Sequence, residues 1–237
     1  MTRILVADDD RTTRLLLTET LRAEKYTVIT VADGSAALAK LKNEKFDLAL
    51  LDVWMPKMNG LEVLAKLRKK TNRTKVIVMT SDDTPETLIG AIREQAYQYV
   101  SKPIEPKALA ALIRESLAKK TDRLPIEVIS ARPEWVELSL PCSLEAAERI
   151  EGFMAHLKGG LSEDVLRSVG QAFHELLLNA VEWGGKLDPN RKVRISYLRA
   201  KRMLMYRIAD PGPGFKFSEL DHAAISRESR CRTTEEA

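Results

Sequence analysis

Short, mostly apolar runs alternate with amphipathic stretches over the first half of the chain. Runs of four or five residues, a length typical of buried strands, lie at positions 4–7, 28–31, 48–52, 76–79 and 97–100. The stretches between them carry apolar residues three and four positions apart, as at Leu61, Leu64 and Leu67. This spacing predicts helices over residues 11–24, 35–43, 61–70, 85–95 and 106–119. Strands that alternate with short helices predict a parallel sheet with helices on both faces.

The pattern changes after a polar stretch that ends in Pro125. We therefore expect an α/β protein with a first domain at 1–119, a linker at 120–125 and a second domain at 126–237. The predicted elements of the second domain are a hairpin of strands at 126–131 and 135–140, helices at 143–157 and 162–183, and antiparallel strands at 193–198 and 203–209.

Five side chains have structural roles that the pattern predicts. Asp10 and Ser143 each stand just before a helix and are expected to cap it. Met203 and Met205 alternate along the last strand, and we interpret them as core residues. His174 has mostly apolar neighbours, which favours a partly buried structural histidine over the phosphoacceptor of a histidine kinase.

Polar side chains follow four of the predicted strands of the first domain. Asp8 and Asp9 follow the first strand, Asp52 ends the third, Thr80 ends the fourth and Lys102 follows the fifth. Because the carboxyl ends of parallel strands meet at one edge of a sheet, we expect these groups to lie together. Crowded carboxylates repel one another unless a hard cation joins them, and Mg²⁺ prefers such oxygen ligands. The sequence therefore predicts a magnesium and phosphoryl site.

An aspartate can attack a phosphoryl group and form an acyl phosphate, and we assign that role to Asp52. We assign four ligands to the metal ion: the carboxylates of Asp8, Asp9 and Asp52, and the backbone carbonyl of Trp54. The Thr80 hydroxyl and the Lys102 ammonium group are assigned to phosphoryl oxygens, since positioning and charge neutralisation dominate such transfers.

This set of groups resembles the receiver domain of two-component response regulators. The residues that carry the resemblance are Asp8-Asp9, Asp52 with Met55-Pro56, Thr80, and Lys102-Pro103. It implies a flavodoxin-like, doubly wound sheet of five parallel strands, with a cis Lys102-Pro103 bond. It also implies a histidine kinase or a phosphotransfer protein as phosphoryl donor, and a switch in which Thr80 moves and Tyr99 is repositioned. The switched surface is expected to couple to the second domain or to a dimer partner.

Composition narrows the class of protein further. The net charge of +4 and the pI of about 9.0 reflect a mild, dispersed basic excess, so we expect no direct DNA binding. Cys142 and Cys231 lack metal-ligand spacing and are expected to be reduced thiols. No apolar segment approaches the ~18 residues that span a bilayer, and no signal peptide is visible. We expect a cytoplasmic protein without a membrane anchor.

The second domain carries two further polar patterns. Glu175 and Asn179 are four positions apart and project from one face of an apolar helix, and Asp210-x-Gly212-x-Gly214 follows the last strand. Together they resemble the N-box and the first glycine box of the GHKL ATPase superfamily, especially its anti-sigma-factor serine kinases. The resemblance implies an α/β sandwich that binds ATP and Mg²⁺. Asn179 would ligate the metal, Glu175 would act as general base, and Asp210 would bind the adenine amino group.

The sequence departs from that family's pattern in two ways. No Gly-x-Gly follows Gly214, so the second glycine box is expected to be missing, and Trp183 stands where the kinases commonly carry histidine. Our leading hypothesis is a response regulator with a serine-kinase-like output module. The alternative is a catalytically inactive module that binds a protein, either an anti-sigma antagonist or a sigma-factor-type partner. A DNA-binding regulator is third, because the long helix near Glu175 is not basic.

Overall fold

The computed structural model describes residues 2–68, 74–82, 84–119, 125–132, 135–156, 162–200 and 203–214. The predicted linker residues 120–124, Cys231 and all positions beyond Gly214 lie outside this part of the chain. Among the described residues, none of the helices has both the length and the apolar character needed to cross a bilayer.

The first half folds as an alternating series of strands and helices. The elements are β1 (Arg3–Ala7), α1 (Arg11–Ala23), β2 (Thr27–Val31), α2 (Gly34–Asn43), β3 (Leu48–Asp52), α3 (Gly60–Arg68), β4 (Lys75–Thr80), α4 (Pro85–Arg93), β5 (Gln98–Ser101) and α5 (Pro106–Ala118). All five strands are parallel, in the order β2-β1-β3-β4-β5. This order confirms the predicted flavodoxin-like, doubly wound sheet.

Burial on both faces explains the continuous apolar runs of the sequence. Every residue of β3 and β4 is buried. Along β1, Leu5 packs into the core on one face of the sheet, whereas Ile4 and Val6 pack into the core on the other. The Asp10 side chain accepts hydrogen bonds from the backbone amides of Thr12 and Thr13, which confirms its predicted role as the cap of α1.

The second half contains an antiparallel sheet covered by helices on one face. Its elements are β6 (Glu127–Arg132), β7 (Trp135–Pro141), α6 (Leu144–Met154), α7 (Glu163–Asn179), a π-helical turn (Ala180–Gly184), β8 (Lys192–Ala200) and β9 (Met203–Ala209). The strand order is β6-β7-β8-β9, and the predicted hairpin forms between β6 and β7. Ser143 caps α6 by accepting a hydrogen bond from the Ala146 amide, as predicted.

The helix predicted over 162–183 is confirmed: it begins at Glu163, and after Asn179 it continues as a π-helical turn to Gly184. Two predictions for the second half are wrong. Met203 and Met205 are 52% and 39% exposed, since the alternate residues of β9 face the core instead. His174 has a side chain that is 51% exposed, and its Nδ1 lies 2.9 Å from Glu151 Oε1 on α6.

The two halves share a continuous hydrophobic core. Ile92 and Tyr99 of the first half belong to the same buried cluster as Ile126 and Phe153 of the second. The Gln95 side chain adds two hydrogen bonds to Ile126, donating to its carbonyl oxygen at 2.7 Å and accepting from its amide at 3.3 Å. These contacts fix the start of β6 against α4 and the loop that follows α4.

Candidate functional site

Three carboxylates gather at the carboxyl edge of the parallel sheet. Asp8 follows β1 and is fully buried, Asp52 ends β3 and is 4% exposed, and Asp9 is exposed. Each offers an oxygen atom, and these oxygens all lie within 4.8 Å of one another. The predicted metal carboxylates are therefore close enough together to share one cation. A cluster of hard oxygen donors of this kind suits Mg²⁺.

Lys102 supplies the positive charge of the site. Its Nζ lies 2.8 Å from Asp8 Oδ2 and 3.1 Å from Asp52 Oδ2. Burial opposes the charged form of the ammonium group, but the two carboxylates outweigh that effect, and the pKa of Lys102 is raised. The peptide bond between Lys102 and Pro103 is cis, as the family resemblance implied.

One lysine does not neutralise the cluster. Burial raises the pKa of Asp52 to about 6, the bond with Lys102 opposes the shift, and the charges of Asp8 and Asp9 add to it. The carboxylates are therefore held at close range with an excess of negative charge at neutral pH. A divalent cation would relieve this repulsion, which is a physical reason to expect metal binding here.

Thr80 lies at the end of β4, fully buried, beside this cluster of strand ends. Its Oγ1 accepts a hydrogen bond of 3.0 Å from the Asp82 amide. The Tyr99 hydroxyl donates to the Asp82 carbonyl oxygen at 2.9 Å. The two predicted switch residues are thus joined through the backbone of Asp82, a loop residue that the sequence analysis did not identify.

Two glycines allow close backbone approaches to the end of β3 and to the loop that follows it. A Cβ atom at Gly60 would lie 2.2 Å from the Asp52 carbonyl oxygen, and one at Gly34 would lie 1.9 Å from the Met58 carbonyl oxygen. Neither position tolerates a side chain without movement of the backbone. The loop also carries Trp54, whose indole is exposed. The backbone of Gly60 therefore lies directly against that of Asp52, a contact that the sequence analysis did not predict.

The candidate nucleotide residues of the second half are arranged differently. Glu175 and Asn179 are both exposed on α7. Asp210 follows β9, is also exposed, and accepts a hydrogen bond of 2.7 Å from the Gly212 amide. Gly214 has a φ of 75°, a left-handed conformation that favours glycine.

The π-helical turn brings the end of α7 to Asp210. A Cβ atom at Gly184 would lie 2.4 Å from Asp210 Oδ1, and one at Gly185 would lie 2.2 Å from Cys142 Sγ. Gly184 and Gly185 thus lie between the core residue Cys142 and the candidate adenine-binding carboxylate of Asp210. π-helical turns of this kind are frequent at functional sites.

Comparison with known families identifies one domain in each half of the chain. Residues 4–114 match the family model of the response regulator receiver domain, and residues 141–233 match that of the histidine kinase-like ATPase domain. The acidic cluster lies in the first match, and α7, the π-helical turn and Asp210 lie in the second.

Among curated proteins, the chain is 32% identical over 202 residues to the DNA-binding response regulator MtrA of Mycolicibacterium smegmatis, covering 84% of this chain and 87% of that one. It is 33% identical over 123 residues to the alkaline phosphatase synthesis transcriptional regulatory protein PhoP of Bacillus subtilis, covering 52% and 51%. A CheY-like receiver domain structure from Methanospirillum hungatei JF-1 has 35% identity and a TM-score of 0.48, covering 50% of this chain and 94% of that one. The chain belongs to the response regulator family, with a receiver domain followed by a histidine kinase-like ATPase domain.

Proposed function

We propose that this response regulator accepts a phosphoryl group on Asp52 from the phosphohistidine of a kinase or phosphotransfer protein. The observation that carries this proposal is the clustering of three carboxylates within 4.8 Å, with a partly buried lysine bonded to two of them. Asp8, Asp9, Asp52 and the Trp54 carbonyl would hold Mg²⁺, which supplies charge neutralisation for the phosphoryl oxygens.

The transfer would use the side chains as follows. A carboxylate oxygen of Asp52 forms a bond to phosphorus while the bond from phosphorus to the donor's histidine nitrogen breaks, so the imidazole leaves. Lys102 would shift its hydrogen bond from the Asp52 carboxylate to a phosphoryl oxygen. The Thr80 hydroxyl would donate to another phosphoryl oxygen. Positioning and neutralisation of this kind are the main protein contributions to phosphoryl transfer.

For the second half we propose an ATP-binding output module of the anti-sigma-factor serine kinase type, with its boundary at residues 120–125. The family match and the positions of Glu175 and Asn179 on one face of α7 support this proposal. Asn179 would ligate the metal of the nucleotide, Glu175 would accept the proton of an attacking hydroxyl, and Asp210 would accept a hydrogen bond from the adenine amino group.

A second candidate function is a protein-binding module without catalysis. Three large apolar side chains near the candidate nucleotide residues are exposed, namely Leu176, Leu187 and Trp183, the last at 77%. Exposed apolar surface of this kind often marks a protein interface. An anti-sigma antagonist or a sigma-factor-type protein would then be the partner, and the phosphorylated receiver would control that contact.

We propose that the second half does not bind DNA directly, although the relative named MtrA is described as DNA-binding. Readout of the major groove needs a basic recognition helix. The long helix α7 has three acidic residues, Glu163, Asp164 and Glu175, and one arginine, Arg167. It packs on an antiparallel sheet. The match to the ATPase domain covers this same helix.

Calorimetric titration with ATP and Mg²⁺ tests the output module. We expect saturable binding by the intact chain and loss of at least tenfold in affinity in Asn179→Ala. Gln171→Ala, also exposed on α7, is the matched control and should bind as the unaltered chain does. Equal affinity in all three would contradict the assigned metal ligand, and failure of the folded chain to bind would favour the protein-binding alternative.

A further inference from the structure

Helix α6 of the second half lies directly against the switch tyrosine of the receiver. The Tyr99 ring lies edge-on to His156, with the ring centres 4.8 Å apart, and its centre is 6.5 Å from that of Phe153. His156 Nδ1 is also 2.9 Å from the Ser101 hydroxyl oxygen at the end of β5. The end of α6 and the residue two positions beyond it therefore contact both Tyr99 and the strand that carries it.

Further contacts anchor α6 on the receiver at a distance from Tyr99. Arg149 is buried and donates a hydrogen bond of 3.1 Å to the Ala96 carbonyl oxygen. A Cβ atom at Gly152 would lie 2.5 Å from the Gln98 side-chain oxygen, so α6 approaches β5 closely. A buried arginine at an interface requires a fixed partner, because an unpaired charge there is costly. These contacts give α6 one defined position in this arrangement of the two halves.

The other side of α6 contacts the helix that carries the candidate nucleotide residues. Glu151 Oε1 is 2.9 Å from His174 Nδ1, and His174 immediately precedes Glu175 on α7. Met154 of α6 and Phe173 of α7 lie in the same buried cluster. A displacement of α6 would therefore reach α7 through packed side chains and one polar pair.

The receiver site reaches Tyr99 through two hydrogen bonds. If a phosphoryl group on Asp52 draws the Thr80 hydroxyl toward it, the Asp82 amide loses its acceptor. The loop then moves, and the Tyr99 hydroxyl, which donates to the Asp82 carbonyl, loses its fixed partner. A cleft of about 430 Å³ beside His156, lined by Tyr99, Ser101 and Ala155 among others, leaves room for these side chains to rearrange.

We propose that His156 and the α6 face around it couple the receiver to the second half, so that a ligand on Asp52 changes the nucleotide affinity of α7. This proposal rests on the proposed nucleotide-binding function and deepens it by assigning its regulation. Coupling between two binding sites is reciprocal, so nucleotide must change the affinity of the receiver for its ligand by the same factor. Couplings of this kind are typically about 5- to 150-fold.

The test uses the full chain with Mg²⁺ and beryllium fluoride, which mimics a phosphoryl group on a carboxylate. The dissociation constant of a non-hydrolysable ATP analogue is measured with and without beryllium fluoride. We expect the two values to differ by at least about fivefold. His156→Ala and Ser101→Ala each remove one partner of the hydrogen bond between these two side chains. In both variants the ratio of the two dissociation constants should fall below about twofold. Arg194→Ala, exposed on β8 and remote from this contact, should keep it.

The outcomes separate this proposal from the one on which it rests. Nucleotide binding of equal affinity in both receiver states would overturn the coupling and leave the nucleotide site intact. No binding in either state would overturn both. Full coupling in His156→Ala and Ser101→Ala would overturn the role of this contact. Amide hydrogen exchange over residues 144–156 gives a readout without nucleotide, and unchanged exchange on addition of beryllium fluoride would contradict the proposal.

Discussion

The two candidate sites of this chain differ in how their charges are held. In the receiver, Asp8 and Asp52 are buried and share the ammonium group of Lys102. In the second half, the carboxylates of Glu175 and Asp210 are both exposed. Buried charges depend on one another, because removing one leaves the others uncompensated, whereas exposed charges act almost independently. Single substitutions in the receiver site should therefore change the free energy of unfolding strongly. Single substitutions in the second site should mainly change the affinity for nucleotide.

The largest expected effect is on stability in the receiver. Lys102→Met should lower the free energy of unfolding by about 3 kcal/mol in metal-free buffer, because two buried carboxylates lose their shared cation. Addition of Mg²⁺ should restore part of the loss. Urea denaturation followed by circular dichroism measures both values.

Lys57→Met is the matched control for that comparison. Lys57 forms an ion pair of 2.7 Å with Asp33, but its side chain is exposed. Its loss should cost less than about 1 kcal/mol. Similar losses in the two variants would contradict the contrast between buried and exposed charges.

The second prediction concerns binding in the second half. Gly184→Ala places a methyl group against the Asp210 carboxylate and should weaken nucleotide binding at least tenfold, measured by calorimetry. Gly170→Ala, where an added Cβ meets nothing within 4 Å, should bind normally and gain roughly 0.5–1 kcal/mol of stability in α7. Normal binding by a folded Gly184→Ala variant would remove Asp210 from the site.

The third prediction concerns the pKa of Asp52. Its pKa is raised from 3.8 to about 6, so in metal-free protein the charged carboxylate reduces stability above about pH 6, and this cost disappears toward pH 4. Asp52→Asn should therefore stabilise the metal-free protein at pH 7.5 by about 1 kcal/mol, after allowance for solvent screening. The gain should shrink at pH 5 when the same denaturation series is run with EDTA. A gain that grows at pH 5 would show that the sign of the shift is wrong.

The smallest effect is expected on the outer face of β9. Met205→Ala should change the free energy of unfolding by less than about 0.5 kcal/mol, because the side chain is largely exposed. Tyr206→Ala is the contrast, since that ring packs 5.0 Å from Phe173 in the core and should cost several times more. Equal losses of stability in the two variants would indicate that Met205 lies in the core, as the sequence pattern predicted, and would contradict its exposed position in the structure.

The receiver could be predicted from the sequence because each polar group directly follows an apolar strand. A parallel sheet brings such groups to one edge without any need to know the packing of its helices. Along β9, by contrast, Met203 and Met205 alternate with Leu204 and Tyr206, and both sets are hydrophobic. A period of two then predicts a strand but does not reveal which face meets the core.

Other features depend on contacts that no local pattern records. The exposure of His174 follows from the rotation of α7 on the sheet and from its pairing with Glu151. The π-helical turn at Ala180–Gly184 has no sequence signal beyond two adjacent glycines. The contact of His156 with Tyr99 joins positions from different halves of the chain, and it depends on how two separately predicted surfaces meet.

The most direct test of the account is to locate the phosphoryl group. The chain is incubated with acetyl phosphate and Mg²⁺, the acyl phosphate is reduced with borohydride, and the modified peptide is identified by mass spectrometry. The account predicts modification at Asp52 alone, abolished by EDTA and by Asp52→Asn. Modification at Asp8 or Asp9, or none in a folded sample with Mg²⁺, would contradict it.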